Sequence, residues 1–524
     1  MSTLNFVTKV EDEVLDVVVV GGGPAGSTAA KLLASWGHSV VIVDTQPPGR
    51  RSLAESLPAS TRKVFSLLGQ IDAVEATGFH PNFGNVARWA GKSRTTSSRV
   101  AGYHVSRVVF DRVLRRCAAN GGASLMTAAV KRVTPGTPML VQCQLNAGRP
   151  HTAGQTTIRA RYVLDCSGRA GVVARGLGRV DVGYRTLAIA ADWELEARPE
   201  MNESSRTFIE SAKDGWAWLL PFSPTRRQCT VMIDPERATR RRGLTSVYHQ
   251  ELAKSIDIHA RLESARQISS PWSCDASVYR ALRTTDGGVL LVGDAASFIE
   301  PLSSAGVKKA LVSAWRAAVV VNTCLARSEM TSIALDFYER RERAVFAQCL
   351  ARSTAFFKEA SDAYAGPFWD ARAREGFSEP NGGRGESNDK RSTSSDEPSD
   401  PTEMDLAKDL AVYQAFERLR QAEITKFTAS AGIRFEPVAT IEGNEVVLLE
   451  GLVLPGHRRS IRFAAGISLP DLLRLAVRCE SVADLLGAYC EHAERERLEA
   501  PRIEALLGAL SFLVARRALV HDDT

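Results

Sequence analysis

One run constrains this chain more than any other. Gly21-Gly22-Gly23-Pro24-Ala25-Gly26 follows directly on the apolar stretch Asp16-Val17-Val18-Val19-Val20. A buried strand entering a glycine turn, followed by the helix-forming Ser27-Thr28-Ala29-Ala30-Lys31-Leu32-Leu33-Ala34, reads as the start of a βαβ unit. Gly21 permits the tight turn, Gly23 lets a pyrophosphate approach the main chain, and Gly26 lets the helix pack closely on the strand. The helix start at Pro24 and Ala25 then presents unpaired N–H groups and the positive end of its dipole. A second apolar strand, Ser39-Val40-Val41-Ile42-Val43, ends in Asp44, and about 20 residues is the spacing expected of a carboxylate that takes ribose hydroxyls. Together these residues predict a dinucleotide site.

At 524 residues the chain exceeds one ordinary core, and about 150 residues per domain suggests two to four units. A hydrophobic fraction of 44% with 24% charged residues is that of a soluble globular protein, and no apolar run is expected to be long enough to cross a bilayer. Met1 to Leu15 lacks a signal-peptide core. The nine cysteines are scattered, without CxxC or metal-ligand spacing. These features predict a cytoplasmic protein with reduced thiols, no metal and no membrane partner. The net charge of +6 is mild. Arg226-Arg227 and Arg240-Arg241-Arg242 read either as solvated faces or as a patch for an anionic partner. No nucleic-acid motif accompanies them, so nucleic acid is not expected as a partner.

The element pattern is α/β. Residues 14–185 and 281–365 alternate strands and helices and are assigned to the dinucleotide domain with a helical extension. Residues 186–280 are strand-rich and should form a mostly antiparallel substrate sheet. Residues 371–403 are polar and free of aliphatic runs, the composition of a disordered linker. Residues 406–524 then form a small C-terminal domain of short strands followed by three amphipathic helices.

Further motifs point from a dinucleotide to a flavin. Gly293-Asp294-Ala295-Ala296 follows its own apolar strand, where an acid can meet a ribityl and pyrophosphate region. Pro301-Leu302-Ser303-Ser304-Ala305-Gly306 opens the next helix and can offer N–H groups to the pyrimidine edge of an isoalloxazine. Arg107, in the pattern R-x-x-F-D-x-x-L with Phe110-Asp111, is placed to reach cofactor phosphates or to be a plain surface arginine. Gly215-Trp216-Ala217-Trp218-Leu219-Leu220-Pro221 puts Trp216 and Trp218 on one face of a strand, as a cavity wall would need.

Taken together, over roughly residues 14–360, these motifs resemble the flavin-dependent halogenases and their monooxygenase relatives, whose hallmark is W-x-W-x-x-P. The resemblance implies a Rossmann-type FAD-binding domain, an antiparallel-sheet substrate domain, noncovalent FAD, O2, and electrons from NAD(P)H or a separate flavin reductase. Halogenases of this family direct the oxidant with a lysine, and the matching region Phe79-His80-Pro81-Asn82-Phe83-Gly84 holds Asn82 there. The tryptophan halogenases also carry a glutamate where this chain has Ser303. Lys63 and Lys92 lie nearby in sequence, one in a helical run and one after a turn. The resemblance therefore implies oxygen insertion, through a flavin hydroperoxide, ahead of halogenation.

Ala54-Glu55-Ser56-Leu57-Pro58-Ala59-Ser60 and Ser303 to Leu311 look like the branch that matures protein-derived tryptophylquinone cofactors. That likeness implies an aromatic substrate, an indole or phenol, carried by a tryptophan of a partner peptide or protein subunit. The C-terminal unit is similar to small winged-helix-like peptide-recognition domains, with a purely structural cap as the alternative. Glu55, His80 and Glu300 are candidates for proton handling. A halogenase, a flavin reductase acting on isoprenoid double bonds and a flavin-stabilised maturation chaperone remain as alternatives.

Overall fold

The computed structural model describes residues 13–45, 53–145, 154–196, 205–239, 243–374, 409–421, 426–498 and 500–521. Arg240-Arg241-Arg242, most of the expected N-terminal segment and residues 375–403 of the expected linker lie outside the described residues. The chain divides into two compact units, Met1–Gly383 and Arg384–Thr524.

Two sheets organise the first unit. In one, five strands run parallel in the order Ser124–Thr134, Val40–Asp44, Val14–Val20, Gln155–Asp165 and Val289–Leu291. Val17, Val18 and Val19 are fully buried, as the unbroken apolar run requires of a strand covered on both faces. Met139–Leu145 bridges the overhanging ends of two of these strands with antiparallel pairing. The helix Pro24–Ser35 packs on this sheet. The strand order reverses at Val14–Val20, and the glycine turn sits at its carboxyl end, where α/β sheets open a crevice for ligands.

The second sheet has nine strands and is mostly antiparallel. Its centre is Leu187–Leu195, Arg226–Ile233, Gly215–Pro221 and Thr207–Ala212. It is not confined to residues 186–280. The hairpin His80–Trp89 and Lys92–Val105 joins it through Thr207–Ala212, and Glu55–Leu57 joins beyond that hairpin. The hairpin lies within residues 14–185 in sequence, yet pairs with the second sheet rather than the first. Period-2 alternation splits Gly215–Pro221 between two cores. Ala217 and Leu219 face a layer containing Tyr248 and Leu252, whereas Trp216 and Trp218 face an aromatic cluster.

Gly306–Ala326 and Thr331–Ala363 are the long helices of this unit. By length and composition the first of them could cross a membrane, contrary to the sequence expectation. In the fold 78% of its apolar window is buried, so it serves as a core helix. It carries Arg316, whose Nη1 donates to Glu342 Oε1 at 2.7 Å on the second helix. Glu342 also accepts from Ser313 Oγ at 3.1 Å, and Tyr338 donates to Leu291 O at 2.7 Å, tying both helices to the parallel sheet.

The second unit is built on a meander of Arg434–Glu442, Glu445–Val453 and Ser460–Ile461, and Phe427–Ala429 pairs with Leu519–His521. The helices Leu410–Gln421, Leu469–Ala476, Val482–Arg495 and Ile503–Ala515 share a core with Leu452, Leu472, Leu485 and Leu510.

The Arg316–Glu342 pair is almost fully buried, with side chains 7% and 2% exposed. Removing one member of such a pair costs about 3 kcal/mol or more, because a desolvated charge loses its partner. Glu342→Ala should therefore lower the stability of the first unit by about 3 kcal/mol. All eight tryptophans lie between Trp36 and Trp369, so tryptophan fluorescence in denaturant reads this unit alone. An unchanged midpoint would show that the pair contributes little.

Candidate active site

The glycine turn is closed at two points and open at a third. Gly21 has φ +100°, and a Cβ there would lie 2.6 Å from Cys166 O. A Cβ on Gly26 would lie 1.9 Å from Gly21 O, so strand and helix touch at this residue. At Gly23 a Cβ would meet nothing nearer than Arg107 Nη2 at 3.8 Å. Pro24 and Ala25 are buried in the first helical turn, and no side chain caps the helix. Its N–H groups are therefore available to an anion approaching past Gly23. Asp44 ends the second strand 3.3 Å from Arg115 Nη1, which also donates to Gly22 O at 3.3 Å.

Arg107 begins the helix Arg107–Asn120 and links separate segments. Its Nε and Nη2 reach the two oxygens of Asp111 at 3.0 and 3.2 Å, and its Nη1 reaches Glu55 Oε1 at 3.2 Å. Burial opposes the charged guanidinium, but Asp111, Glu55 and Asp294 outweigh it and hold the proton more firmly than usual. Burial pushes the Glu55 carboxyl up, with Arg107 pulling against that shift. Glu55 is thus an ion-pair partner of Arg107. Arg115 was not singled out in the sequence, although Arg107, Asp111 and Arg115 stand at i, i+4 and i+8 on one helical stripe.

Gly293 and Asp294 follow the strand Val289–Leu291. A Cβ on Gly293 would lie 3.1 Å from the Cβ of Ala25, so this motif packs against the glycine turn. The Gly293 N–H donates to Ser313 Oγ at 3.0 Å, and the buried Lys309 donates to Gly293 O at 3.1 Å and to Ser297 O. Lys309 Nζ also stands 3.7 Å from Asp294 Oδ1. Pro301–Ser303 is a single tight turn, and Ser304 is left-handed at φ +50°. Ala305 and Gly306 then start the long helix, again without a side-chain cap.

Trp216 and Trp218 lie on one face with ring centres 5.5 Å apart at 79°. Trp89 packs 6.4 Å from Trp216 and 5.4 Å from Trp369, and the cluster extends to Tyr184, Phe346, Phe357 and Phe368. Cys274, Phe298, Leu302 and Ala305 are among the partly buried residues that pack against it. Glu300, just before Pro301, is 2% exposed, and neither of its oxygens has a hydrogen-bond partner among the described residues. Burial pushes its carboxyl up to about 7, with Arg372 opposing.

His80 belongs to a different group. It stacks on the buried His104 at 6.1 Å. His104 Nε2 lies 2.9 Å from Thr207 Oγ1, Thr207 donates to Ser56 Oγ at 2.9 Å, and Asn82 Nδ2 donates to the same oxygen at 2.9 Å. Asn82 Nδ2 also reaches Leu57 O at 3.4 Å, and its Oδ1 accepts from Gly84 N at 2.9 Å. Ser56 points to the opposite face of its strand from Glu55, so this polar string runs behind the Arg107 cluster. Lys63 and Lys92 are exposed.

The open point at Gly23, the uncapped helix, Asp44 and the Arg107 guanidinium suit the pyrophosphate and ribose of FAD, and the Pro301–Gly306 turn suits its flavin end. A model of the FAD binding domain matches residues 14–353. The chain belongs to that family. This FAD-binding protein is 30% identical over 368 residues to the tryptophan 2-halogenase of Chondromyces crocatus, a match covering 68% of this chain and 70% of that protein. Its structure is similar to CmlS, a flavin-dependent halogenase, with a TM-score of 0.74 at 21% identity, covering 98% of this chain and 97% of the other. It is also similar to QhpG, a peptidyl tryptophan dihydroxylase essential for tryptophylquinone cofactor biogenesis, with a TM-score of 0.64 at 19% identity, covering 96% and 99%. The protein is an FAD-dependent oxidoreductase of the halogenase and monooxygenase superfamily.

Two glycine variants should separate cofactor binding from folding. Gly23→Leu projects into open space and should abolish FAD uptake while leaving the apoprotein's unfolding curve near that of the parent. Gly26→Ala meets backbone at 1.9 Å and should destabilise the fold itself. Normal flavin absorbance in purified Gly23→Leu would place the phosphates elsewhere.

His104 gives a pH dependence of known sign. Burial first, and His80 second, depress its pKa from 6.5 to about 3, so it stays neutral in the fold while the unfolded chain takes up a proton. Stability should therefore fall as pH drops from about 6.5 toward about 3, approaching about 1.4 kcal/mol per unit from this group. His104→Asn should flatten that slope in unfolding curves measured across the window. An equal slope in both proteins would assign the acid sensitivity to other groups.

Proposed function

We propose that this protein is an FAD-dependent monooxygenase that hydroxylates an electron-rich aromatic ring, an indole or a phenol, and that the ring is a tryptophan side chain of a partner polypeptide. The observation that carries the reading is Asn82. Where the halogenases of the family use a lysine, this amide is buried and both of its ends are committed, to Ser56, Leu57 and Gly84. An amide has no ammonium charge to hold or direct a hypohalous acid. Ser303, in place of the tryptophan halogenases' glutamate, has its hydroxyl turned to Glu300 O at 3.1 Å.

Bound FAD, once reduced by NAD(P)H or a separate flavin reductase, supplies the activation of O2. The chain's own residues do the rest. Gly23, Arg107 and Asp44 would hold the dinucleotide, the Pro301–Gly306 turn would orient its flavin end, and the Trp216–Trp218 wall would keep water from the aromatic cluster. A polypeptide substrate is supported by the near-complete overlap with the fold of the peptidyl tryptophan dihydroxylase. In the C-terminal unit the end strand Arg434–Glu442 offers an edge for a peptide strand.

Halogenation of an aromatic metabolite is the second reading, favoured by the 30% identity to a tryptophan 2-halogenase. Product mass separates the two. With reduced FAD, O2, chloride and bromide present together, a tryptophan-containing peptide should gain oxygen and no halogen. Asn82→Lys alone should not confer efficient halogenation, because the surrounding shell remains that of Asn82. A chlorinated or brominated product from the parent protein would overturn the hydroxylase reading.

A further inference from the structure

Among the described residues of the first unit, Glu300 is the one whose two side-chain oxygens are both buried and unpartnered. It is 2% exposed, and both carboxylate oxygens lack a hydrogen-bond partner among the described residues. Leaving a buried acceptor unpaired costs about 1–3 kcal/mol, and more when it is charged. Tyr184 stands close enough to feel the Glu300 charge, and its own hydroxyl is also buried and unpartnered. Arg372 is near both, with its guanidinium 4.8 Å from the Tyr184 ring centre. That guanidinium hydrogen-bonds to Phe368 O, Arg185 O, Thr186 Oγ1 and Asp234 Oδ1. An acceptor pair and a hydroxyl donor thus lie uncommitted beside the Trp216–Trp218 cluster. In sequence Glu300 stands between Phe298 and Leu302, two of the partly buried residues that pack against the cluster.

We infer that Glu300 and Tyr184 form the docking point for the N–H or O–H of the aromatic substrate, so that the enzyme selects rings carrying a hydrogen-bond donor. The inference rests on the reading that the substrate is an aromatic ring, and is independent of whether oxygen or halogen is added to it. Glu300 accepts the ring's N–H or O–H, and the Tyr184 hydroxyl, which bonds neither carboxylate oxygen in the unliganded fold, turns to the second of them when the ring docks. A hydrophobic chamber alone discriminates weakly between rings of one shape, whereas a buried acceptor left empty rejects the analogue that lacks the donor. The charged and titratable groups facing Glu300 among the described residues are Tyr184 and Arg372. With the Glu300 carboxyl at about 7, its accepting carboxylate form prevails above neutrality and is lost below it.

The test is calorimetric titration of the FAD-loaded full chain with indole and with 1-methylindole, which differ in the N–H, at about pH 6 and about pH 8. Indole should bind at least about tenfold more tightly than 1-methylindole at the higher pH, and the ratio should shrink at the lower. Glu300→Gln, which keeps the shape and one acceptor, should lose the pH dependence, and Tyr184→Phe should narrow the preference for indole. Equal affinities for the two probes at the higher pH, no measurable indole binding, or an unchanged pH dependence in Glu300→Gln would each overturn the inference. If Glu300→Gln fails to fold or to load FAD, the two probes on the parent protein at the two pH values decide alone. Product mass does not enter this measurement, so its outcome stands apart from the choice between hydroxylation and halogenation.

Discussion

The Arg107 guanidinium holds the first unit together at its functional end. It bonds Asp111 on its own helix and Glu55 on the strand that closes the second sheet, and it faces Gly23 of the glycine turn. Asp294, from the Gly293-Asp294 turn, adds to the field around it. Four segments distant in sequence therefore meet at one fixed positive charge. A guanidinium is suited to this because its planar fork can satisfy two carboxylates while one edge stays turned toward an approaching phosphate. Glu55 and Asp111 offset the cost of keeping the charge partly buried before any anion arrives.

From that charged end the site changes character over a short distance. The Gly293-Asp294 turn packs on Ala25, and within a few residues the chain passes Phe298, Ile299, Glu300 and Leu302 into the aromatic cluster. One continuous segment thus runs from the polar turn to the apolar cluster. The division has a chemical use. Phosphates and ribose need donors and fixed charge, whereas a reactive oxidant needs a dry wall, the part we propose for Trp216, Trp218 and Trp89. Lys309 suits the junction, since its ammonium is committed to Gly293 O and Ser297 O and so braces the turn between the two regions.

Much of this was legible in the sequence where the signal was local. The glycine turn, Asp44, Gly293-Asp294 and the same-face tryptophans each rest on spacing within one element, and the fold places them accordingly. What was not legible depends on partners far apart in sequence. The hairpin His80–Val105 joins the second sheet through Thr207–Ala212, a pairing that no local pattern announces. Arg372 reaches Thr186 and Asp234 from a short helix beyond residue 366, and Tyr184 matters only because Glu300 comes beside it. The apolar helix Gly306–Ala326 shows the same limit from the other side. Its length and composition suit a membrane, and only its burial in the fold makes it a core element.

Asn82 shows how a single position can be chemically silent and structurally demanding at once. It lies where the hairpin changes register, between Asn82 and Gly84, and its Oδ1 accepts the Gly84 N–H that the irregularity frees from the ladder. Gly84 has φ +130°, and a Cβ there would lie 2.1 Å from Thr96 O, so the bulge admits no side chain at that residue. The amide nitrogen of Asn82 anchors the other side through Ser56, which Thr207 and His104 hold in turn. A lysine in this setting would need the bulge to find another acceptor and the ammonium to find a route out of a buried, uncharged string. The asparagine is therefore part of a different solution to the hairpin's geometry, one in which the position bonds the backbone and leaves no ammonium at the site.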